Sequence, residues 1–377
     1  MSFRIGKLLG IPIDVDLSWI VVFVLVAYSI GVGYFSAFFP WLRPGTNLLL
    51  GVIATALFFG TLLAHELAHS YVARKAGIPI AGITLFIFGG VARMKDEPAT
   101  PGDEFRMAIA GPATSLAAAA AFGLLGAIAG KTTLLGAVFT YVAIANILVG
   151  LFNLLPGFPL DGGRVFRSFL WYTTGNLRRA TRISSLLGQA LGWMMIIGGI
   201  SSFLGGNMLG GVWLVFLGWF LNNAAQTAYR QLQMRRAFEG LLVEDVMTLG
   251  VEAVTPETTV EDIVRDYFLR THADVYPVVK NDSLLGIVRL DEVRDLPQHD
   301  WPLVQVSRIA KPVEDALLTG TKEPVWNVLI RMGEQNQSTI FVMDGGRLVG
   351  SVRQEYLAKL LKFRMGVEEP HRLGNRT

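Results

Sequence analysis

The sequence predicts a polytopic α-helical membrane protein, about six transmembrane helices with a re-entrant β-hairpin, joined to a C-terminal α/β unit made of two tandem repeats. Three observations predict it. Of 377 residues, 52% are hydrophobic and 17% charged, and the mean hydropathy is +0.45, values that belong to a chain shaped by lipid. From Met1 to Phe238 the only carboxylates are Asp14, Asp16, Glu66, Asp96, Glu97, Asp103, Glu104 and Asp161, whereas the remainder is rich in Asp and Glu. Finally, "YPVVKNDSLLGIVRLDEV" at 276 matches "IFVMDGGRLVGSVRQEYL" at 340, an offset of 64 residues that sets Gly286 over Gly350. The organisation expected is a membrane domain over 1–238 and a repeat pair over 239–377, with copies at 243–298 and 303–363.

The spans follow from where about 20 residues run without charge, enough to cross a hydrocarbon core of about 30 Å. "LSWIVVFVLVAYSIGVGYF", between Asp16 and Arg43, is too long for a signal peptide and shows no usual cleavage site. The second span begins near Asn47, runs into His65 and ends at Arg74 and Lys75. The third starts near Arg106 and is rich in the small residues that let helices approach in lipid; the fourth is uncharged from Thr132 to Leu160. Between Arg182 and Arg230 no charge occurs, and "FLGGNMLGG" supplies a turn that divides a fifth span from a sixth. Ile78 to Met94 is apolar but too short and glycine-broken to span, and suits a re-entrant strand pair.

Cytoplasmic loops carry the excess of Lys and Arg. With Arg4 and Lys7 inside, the outer loops hold only Arg43 and Lys131, while Arg74, Lys75, Arg93, Lys95, Arg106 and the arginines from Arg164 to Arg236 lie inside. This places the N-terminus and everything beyond Phe238 in the cytoplasm. The net charge of +3 and pI near 9.1 then reflect membrane-flanking arginines, and no nucleic-acid partner is expected. With no cysteine, disulfides and thiolate metal sites are excluded, so a metal must rely on His, Asp, Glu or water.

The second span carries "LLAHELAHSYVARKAG". His65 and His69 stand four apart and face the same way on a helix, a spacing that can grip one zinc ion. Glu66 lies about 100° around the axis from His65, near enough to take a proton from water at such a metal. Ionisable groups inside a span cost about 2.5 to 3.5 kcal/mol each and are functional by default; the blander reading makes both histidines interhelical hydrogen-bonders. The other histidines, His272, His299 and His371, lie in the C-terminal part. A tetrahedral catalytic zinc needs a third protein ligand, and Asp161 is the remaining acid beside a span end. Its setting, "NLLPGFPLDGGRVFRS", forbids a continuous helix and lets backbone fold back toward a metal. Equally, Asp161 could simply cap the helix that follows it.

"AHELAHSYVARKAG", "FGGVARM", "AGPATS" and "FNLLPGFPLDGGRVFRS" together resemble the site-2 protease family of intramembrane zinc metalloproteases, over about residues 1 to 230. The resemblance implies that Asp161 completes zinc coordination by His65 and His69, and that Asn153 is catalytic, its amide near the scissile bond holding substrate backbone or the oxyanion, rather than making only an interhelical contact. It also implies that the edge of the 78–94 hairpin pairs with an unwound substrate strand; otherwise the hairpin only seals the site. Gly111 and Pro112 are expected to serve packing and kinking, and no role is drawn for Ser115.

The C-terminal repeats, each reading as helix, strand, turn, strand, helix, resemble a tandem pair of cystathionine-beta-synthase (CBS) domains over roughly 243 to 363. Such pairs sense adenine nucleotides or dimerise. The usual ribose-phosphate residues are replaced by Arg289 and Glu292 in one copy and by Arg353 and Tyr356 in the other, so nucleotide binding and homodimer formation stand side by side. The expectation is an intramembrane zinc endopeptidase, one Zn2+ per chain, that cuts membrane-spanning segments of anchored proteins in regulated intramembrane proteolysis. The alternative is a transporter or channel gated by the CBS pair.

Overall fold

The charge-free runs fold as helices because lipid offers the backbone no other hydrogen-bond partner. The computed structural model describes residues 2–368 apart from Phe88, Lys95, Lys131, His272 and Asp282; those five and His371, all invoked above or in the repeat turn, lie outside the described residues. Among the described residues, six helices are long and apolar enough to span: α1 (Leu17–Phe38), α2 (Pro44–Lys75), α3 (Pro101–Ala129), α4 (Leu134–Asn153), α6 (Leu177–Leu204) and α7 (Met208–Ala237). Between α4 and α6 lies the shorter amphipathic α5 (Asp161–Thr174). Leu25, Ile128, Leu148 and Ile197 are exposed apolar side chains on spanning helices, as a lipid-facing surface requires. The turn at "GGN" separates α6 from α7, as its glycines suggest.

At 1.5 Å per residue, His65 lies ~32 Å along α2 from Pro44, about one hydrocarbon thickness from the start of the helix. Small residues bring α1 and α2 together: a Cβ on Gly51 would fall on the Ala27 carbonyl, and one on Gly31 would stand 2.9 Å from Leu48 Cα.

The third helix begins earlier than the charge pattern suggests. Asp103 and Glu104, expected in a loop, occupy the first turn of α3, with Pro101 at its start and Thr100 Oγ1 accepting from Asp103 N at 3.2 Å. Carboxylates complement the helix dipole there, and a search for uncharged spans cannot find a helix that starts outside the apolar run.

Nor did hydropathy reveal the strands that precede α1. Strands β1 (Ser2–Leu8) and β2 (Ile11–Asp16) form a hairpin whose turn, Leu9–Gly10, has positive φ at both positions. β2 pairs in parallel with β3 (Ile80–Phe86), which pairs antiparallel with β4 (Gly89–Met94). The sheet order is β1-β2-β3-β4, so the expected hairpin is half of a larger sheet and β4 is its edge.

Asp14 on β2 ties the sheet together, accepting from Arg4 Nε at 3.1 Å and from Arg93 on β4. Arg93 reaches across β3 at Gly82, where a Cβ would stand 2.8 Å from its Nη2. Burial alone would raise the Asp14 carboxyl, but hydrogen bonds and charge from Arg4 and Arg93 hold it below its ordinary value. A depressed folded pKa means that this stabilisation is complete above the unfolded value of about 3.9 and is lost as pH falls through the folded one. Asp14→Asn is expected to destabilise the sheet by about 1 kcal/mol, both arginines being half exposed. Faster amide exchange in β1 and β2 checks it; unchanged exchange contradicts it.

The residues divide into two compact units, Met1–Arg230 and Gln231–Thr377. In the second, a short strand, β5 (Thr248–Leu249), and a helical stretch, α8 (260–271), precede the hairpin of β6 (Val275–Lys280) and β7 (Ser283–Arg289), followed by α9 (Leu290–Arg294). The second copy runs β8 (Leu318–Gly320), α10 (Val325–Glu334), β9 (Thr339–Asp344), β10 (Arg347–Arg353) and α11 (Gln354–Glu368). Strands β9 and β10 begin 64 residues after β6 and β7, matching the sequence repeat. The paired glycines have one cause: a Cβ on Gly286 would stand 2.7 Å from Lys311 O and one on Gly350 2.9 Å from Thr248 O, where a neighbouring backbone approaches each strand. Each copy keeps its own core, around Val260, Ile263 and Val288 in the first and around Val328, Ile340 and Val352 in the second.

Candidate metal centre

α2 presents His65 and His69 one turn apart, both toward α3 and α5. His65 is 2% exposed. Its Nε2 lies 3.1 Å from His69 Nε2 and 3.1 Å from Asp161 Oδ2, and His69 Nε2 lies 3.2 Å from the same oxygen. Asp161 is the first residue of α5, and its carboxylate turns to the two rings, 96 residues away in sequence from His65.

This triangle fits a zinc ion. Ligand atoms about 2.0 to 2.1 Å from a tetrahedral centre are separated by roughly 3.4 Å, close to the three distances found. The other ring nitrogens are engaged: His69 Nδ1 lies 2.7 Å from Met107 O and His65 Nδ1 lies 2.9 Å from Ser115 Oγ. A carbonyl only accepts, so His69 Nδ1 donates and, in the neutral ring, Nε2 is left as a lone pair. Nitrogen lone pairs aimed at one another and at a carboxylate oxygen repel unless a cation sits among them. Among the described residues, this is the cluster of three such groups able to hold a metal.

Residues of α3 that the sequence does not mark as part of the site build this arrangement. Ser115 and the Met107 carbonyl, both on α3, orient the rings. Gly111 lies on the same helix face, and a Cβ there would fall on both imidazoles, so its part is close approach to the centre rather than kinking alone. "AGPATS" signalled small residues at a helix contact; that the contact was with the histidines was not legible.

The loop that delivers Asp161 is packed by glycine. A Cβ on Gly162 would fall on Leu154 O, one on Gly163 on Gly157, and one on Gly188 of α6 on Phe158 O. Phe158 N donates to Ser184 O at 3.1 Å, and the Phe158–Pro159 peptide is cis. Beneath it, Arg167 of α5 is buried, its Nε donating to Glu104 Oε1 and its Nη1 to Thr181 Oγ1 at 3.5 Å, with the Phe158 ring 5.1 Å from its guanidinium carbon. α5 is thereby fixed to α3 and α6 at Arg167, about 1.7 turns past Asp161.

A cavity of about 240 Å³ opens over the three ligand atoms. Glu66 faces it and packs against β4 at Gly90, where a Cβ would meet its side chain. Gly89, Gly90, Val91 and Ala92 of the edge strand form one wall; Asn153, Pro159 and Arg164 line it as well. Asn153 is the last residue of α4, and among the described residues its side chain has no hydrogen-bond partner. The interhelical contact is made instead by Asn146 on the same helix, which donates to Thr61 Oγ1 at 2.9 Å. From the sequence, Arg164 is only one of the arginines expected on the cytoplasmic side, not a member of the site.

The sequence of this chain matches the model of peptidase family M50 over residues 53–136 and 128–195 and that of the CBS domain over residues 243–299. It is 36% identical to Rip3 of Mycobacterium tuberculosis, covering 98% of this chain and 95% of the relative, and 32% identical to sll0528 of Synechocystis, covering 96% of each; both carry zinc metalloprotease names. Among solved structures, the site-2 protease from Methanocaldococcus jannaschii is 28% identical, covering 61% of this chain and 96% of that one, with a TM-score of 0.44. The chain is a membrane-embedded metallopeptidase with a C-terminal CBS region, and it belongs to peptidase family M50, the zinc metalloproteases of the site-2 type.

Proposed function

We propose that the protein is an intramembrane endopeptidase that cuts the membrane segments of anchored substrate proteins, in regulated intramembrane proteolysis. The observation that carries this reading is the convergence of His65, His69 and Asp161 on one point, beneath a cavity bounded by the edge of a β-sheet. His65, His69 and Asp161 would hold one zinc ion, which when bound would supply Lewis-acid polarisation and a water of lowered pKa. Glu66 takes the proton of the attacking water and passes it to the leaving amine as the C–N bond breaks. Asn153 donates to the substrate backbone or to the developing oxyanion.

Substrate enters as strand, because a helix hides its peptide groups in its own hydrogen bonds. Edge strand β4 offers unpaired backbone for it, the wall being glycine where Glu66 approaches. Residues 1–238 form the protease domain in this reading. Residues 239–377 form the regulatory or dimerising CBS pair, copies 243–298 and 303–363, on the cytoplasmic side with the N-terminus. Two clefts support a ligand role for the pair. One, of about 460 Å³, is lined by Arg289, Arg294 and Ser338; the other, of about 190 Å³, by Thr248, Phe341 and Arg353. The arginines that replace the usual ribose-phosphate residues therefore line both, and an adenine nucleotide is the ligand class proposed.

The test uses the purified full chain in liposomes. Stoichiometric zinc and cleavage inside a model membrane peptide, faster with Gly, Pro or Asn in its helix, are expected. Ion movement without cleavage would favour the gated transporter and overturn the reading.

A further inference from the structure

One cation lines the cavity with its hydrogen-bonding groups unused. Arg164 follows Asp161 by three residues on α5, and residues at that spacing share a helix face. The turn that aims the carboxylate at the histidines therefore brings the guanidinium to the same cavity, which Arg164 lines beside Glu66 and Asn153. Among the described residues its side chain makes no hydrogen bond or ion pair, whereas Arg167, one turn on, is bound to Glu104 and Thr181. It is half-buried. A guanidinium stays protonated in such a place; Asp161, Glu104, Glu97 and Glu66 balance its charge from a distance, but among the described residues its N–H groups have no hydrogen-bond acceptor, and a charged donor left unbonded in a partly buried place is costly unless a ligand supplies one.

The walls say where that ligand lies. A strand paired to β4 would run along Gly89–Ala92, with the metal ligands at the base of the cavity and Asn153, Pro159 and Arg164 also around it. Apart from the metal ligands, the lining side chains that can donate to a strand carbonyl are the Ser70 hydroxyl, the Asn153 amide and the Arg164 fork, and of these only the fork carries charge.

Resting on the endopeptidase reading above, we infer that Arg164 is a catalytic residue that donates to the oxygen of the carbonyl under attack. As water oxygen bonds to the carbonyl carbon, its proton passes to Glu66 and negative charge gathers on the carbonyl oxygen. When the C–N bond breaks, that charge returns to the carbonyl and the proton goes to the leaving nitrogen. Arg164 keeps its protons throughout, and its contribution is greatest when the charge is greatest.

Arg164→Gln and Arg164→Lys are compared with wild type on a membrane peptide without acidic residues near the cut. Expected for Arg164→Gln are a kcat lower by roughly 10²- to 10³-fold, a KM within a few-fold of wild type, an unchanged zinc content, and weaker binding of a phosphinic peptide that mimics the charged tetrahedral state. Product peptide should bind as before. Arg164→Lys, which keeps the charge but loses the fork, should fall between, and serves if the glutamine variant does not fold. A loss confined to KM, a loss seen only with Asp or Glu beside the cut, or a loss of zinc would each overturn the role. If wild type cuts no membrane peptide, the endopeptidase reading falls first.

Discussion

Replacing Glu66 with glutamine is expected to leave zinc bound at one per chain and to lower cleavage of a model membrane peptide by at least ~10²- to 10⁴-fold, the range for losing a general base. The substitution keeps shape and packing: the side chain lies against Gly90, where β4 comes so near that no Cβ fits, and glutamine fills the same space. None of the three converging ligand atoms belongs to Glu66. What is removed is the proton acceptor. Zinc analysis beside the cleavage rate checks the prediction, and turnover near the wild-type rate would remove Glu66 from the mechanism.

The second large effect is expected at a residue with no functional group. Gly111→Ala should weaken zinc binding by about 10- to 100-fold, comparable to losing a partner that orients the ligands, because the added Cβ would fall on the ring nitrogens of His65 and His69. Alanine is favoured over glycine within a helix by ~1 kcal/mol, so the helix propensity of α3 is not the source of the loss, and circular dichroism separates it from any unfolding caused by the clash. Gly123→Ala on the same helix is the control: its Cβ would meet only Ala143 Cβ, at 3.8 Å. Competition with a chelator reads the zinc affinity, and circular dichroism reads the helix. Equal affinity in the two variants would mean that α3 does not approach the metal as described.

Much of this architecture was legible from periodicity. Apolar runs bounded by charge gave the spans, because lipid tolerates neither exposed backbone nor unpaired charge. A repeat of strand, turn and glycine gave the paired C-terminal copies, because close backbone contact excludes a side chain at Gly286 and Gly350 alike. Strands β1 and β2 are not legible in this way: their turn is Leu9–Gly10, a weak signal, and β2 is held in place by a parallel partner about 70 residues on.

What the sequence determined alone was local. Two histidines at helical spacing with a glutamate between them, set where ionisable groups are costly, point to a metal site and fix the helix that would bear it, since a four-residue separation needs no tertiary fold to align two rings. The tertiary structure decided what those rings meet: Asp161 at 3.1 Å from the start of α5, Ser115 and the Met107 carbonyl behind them, Gly111 against them, and Arg164 in the same cavity. No spacing rule foretells such contacts, because their distances are set by how closely α2, α3 and α5 pack, and glycines make that approach possible.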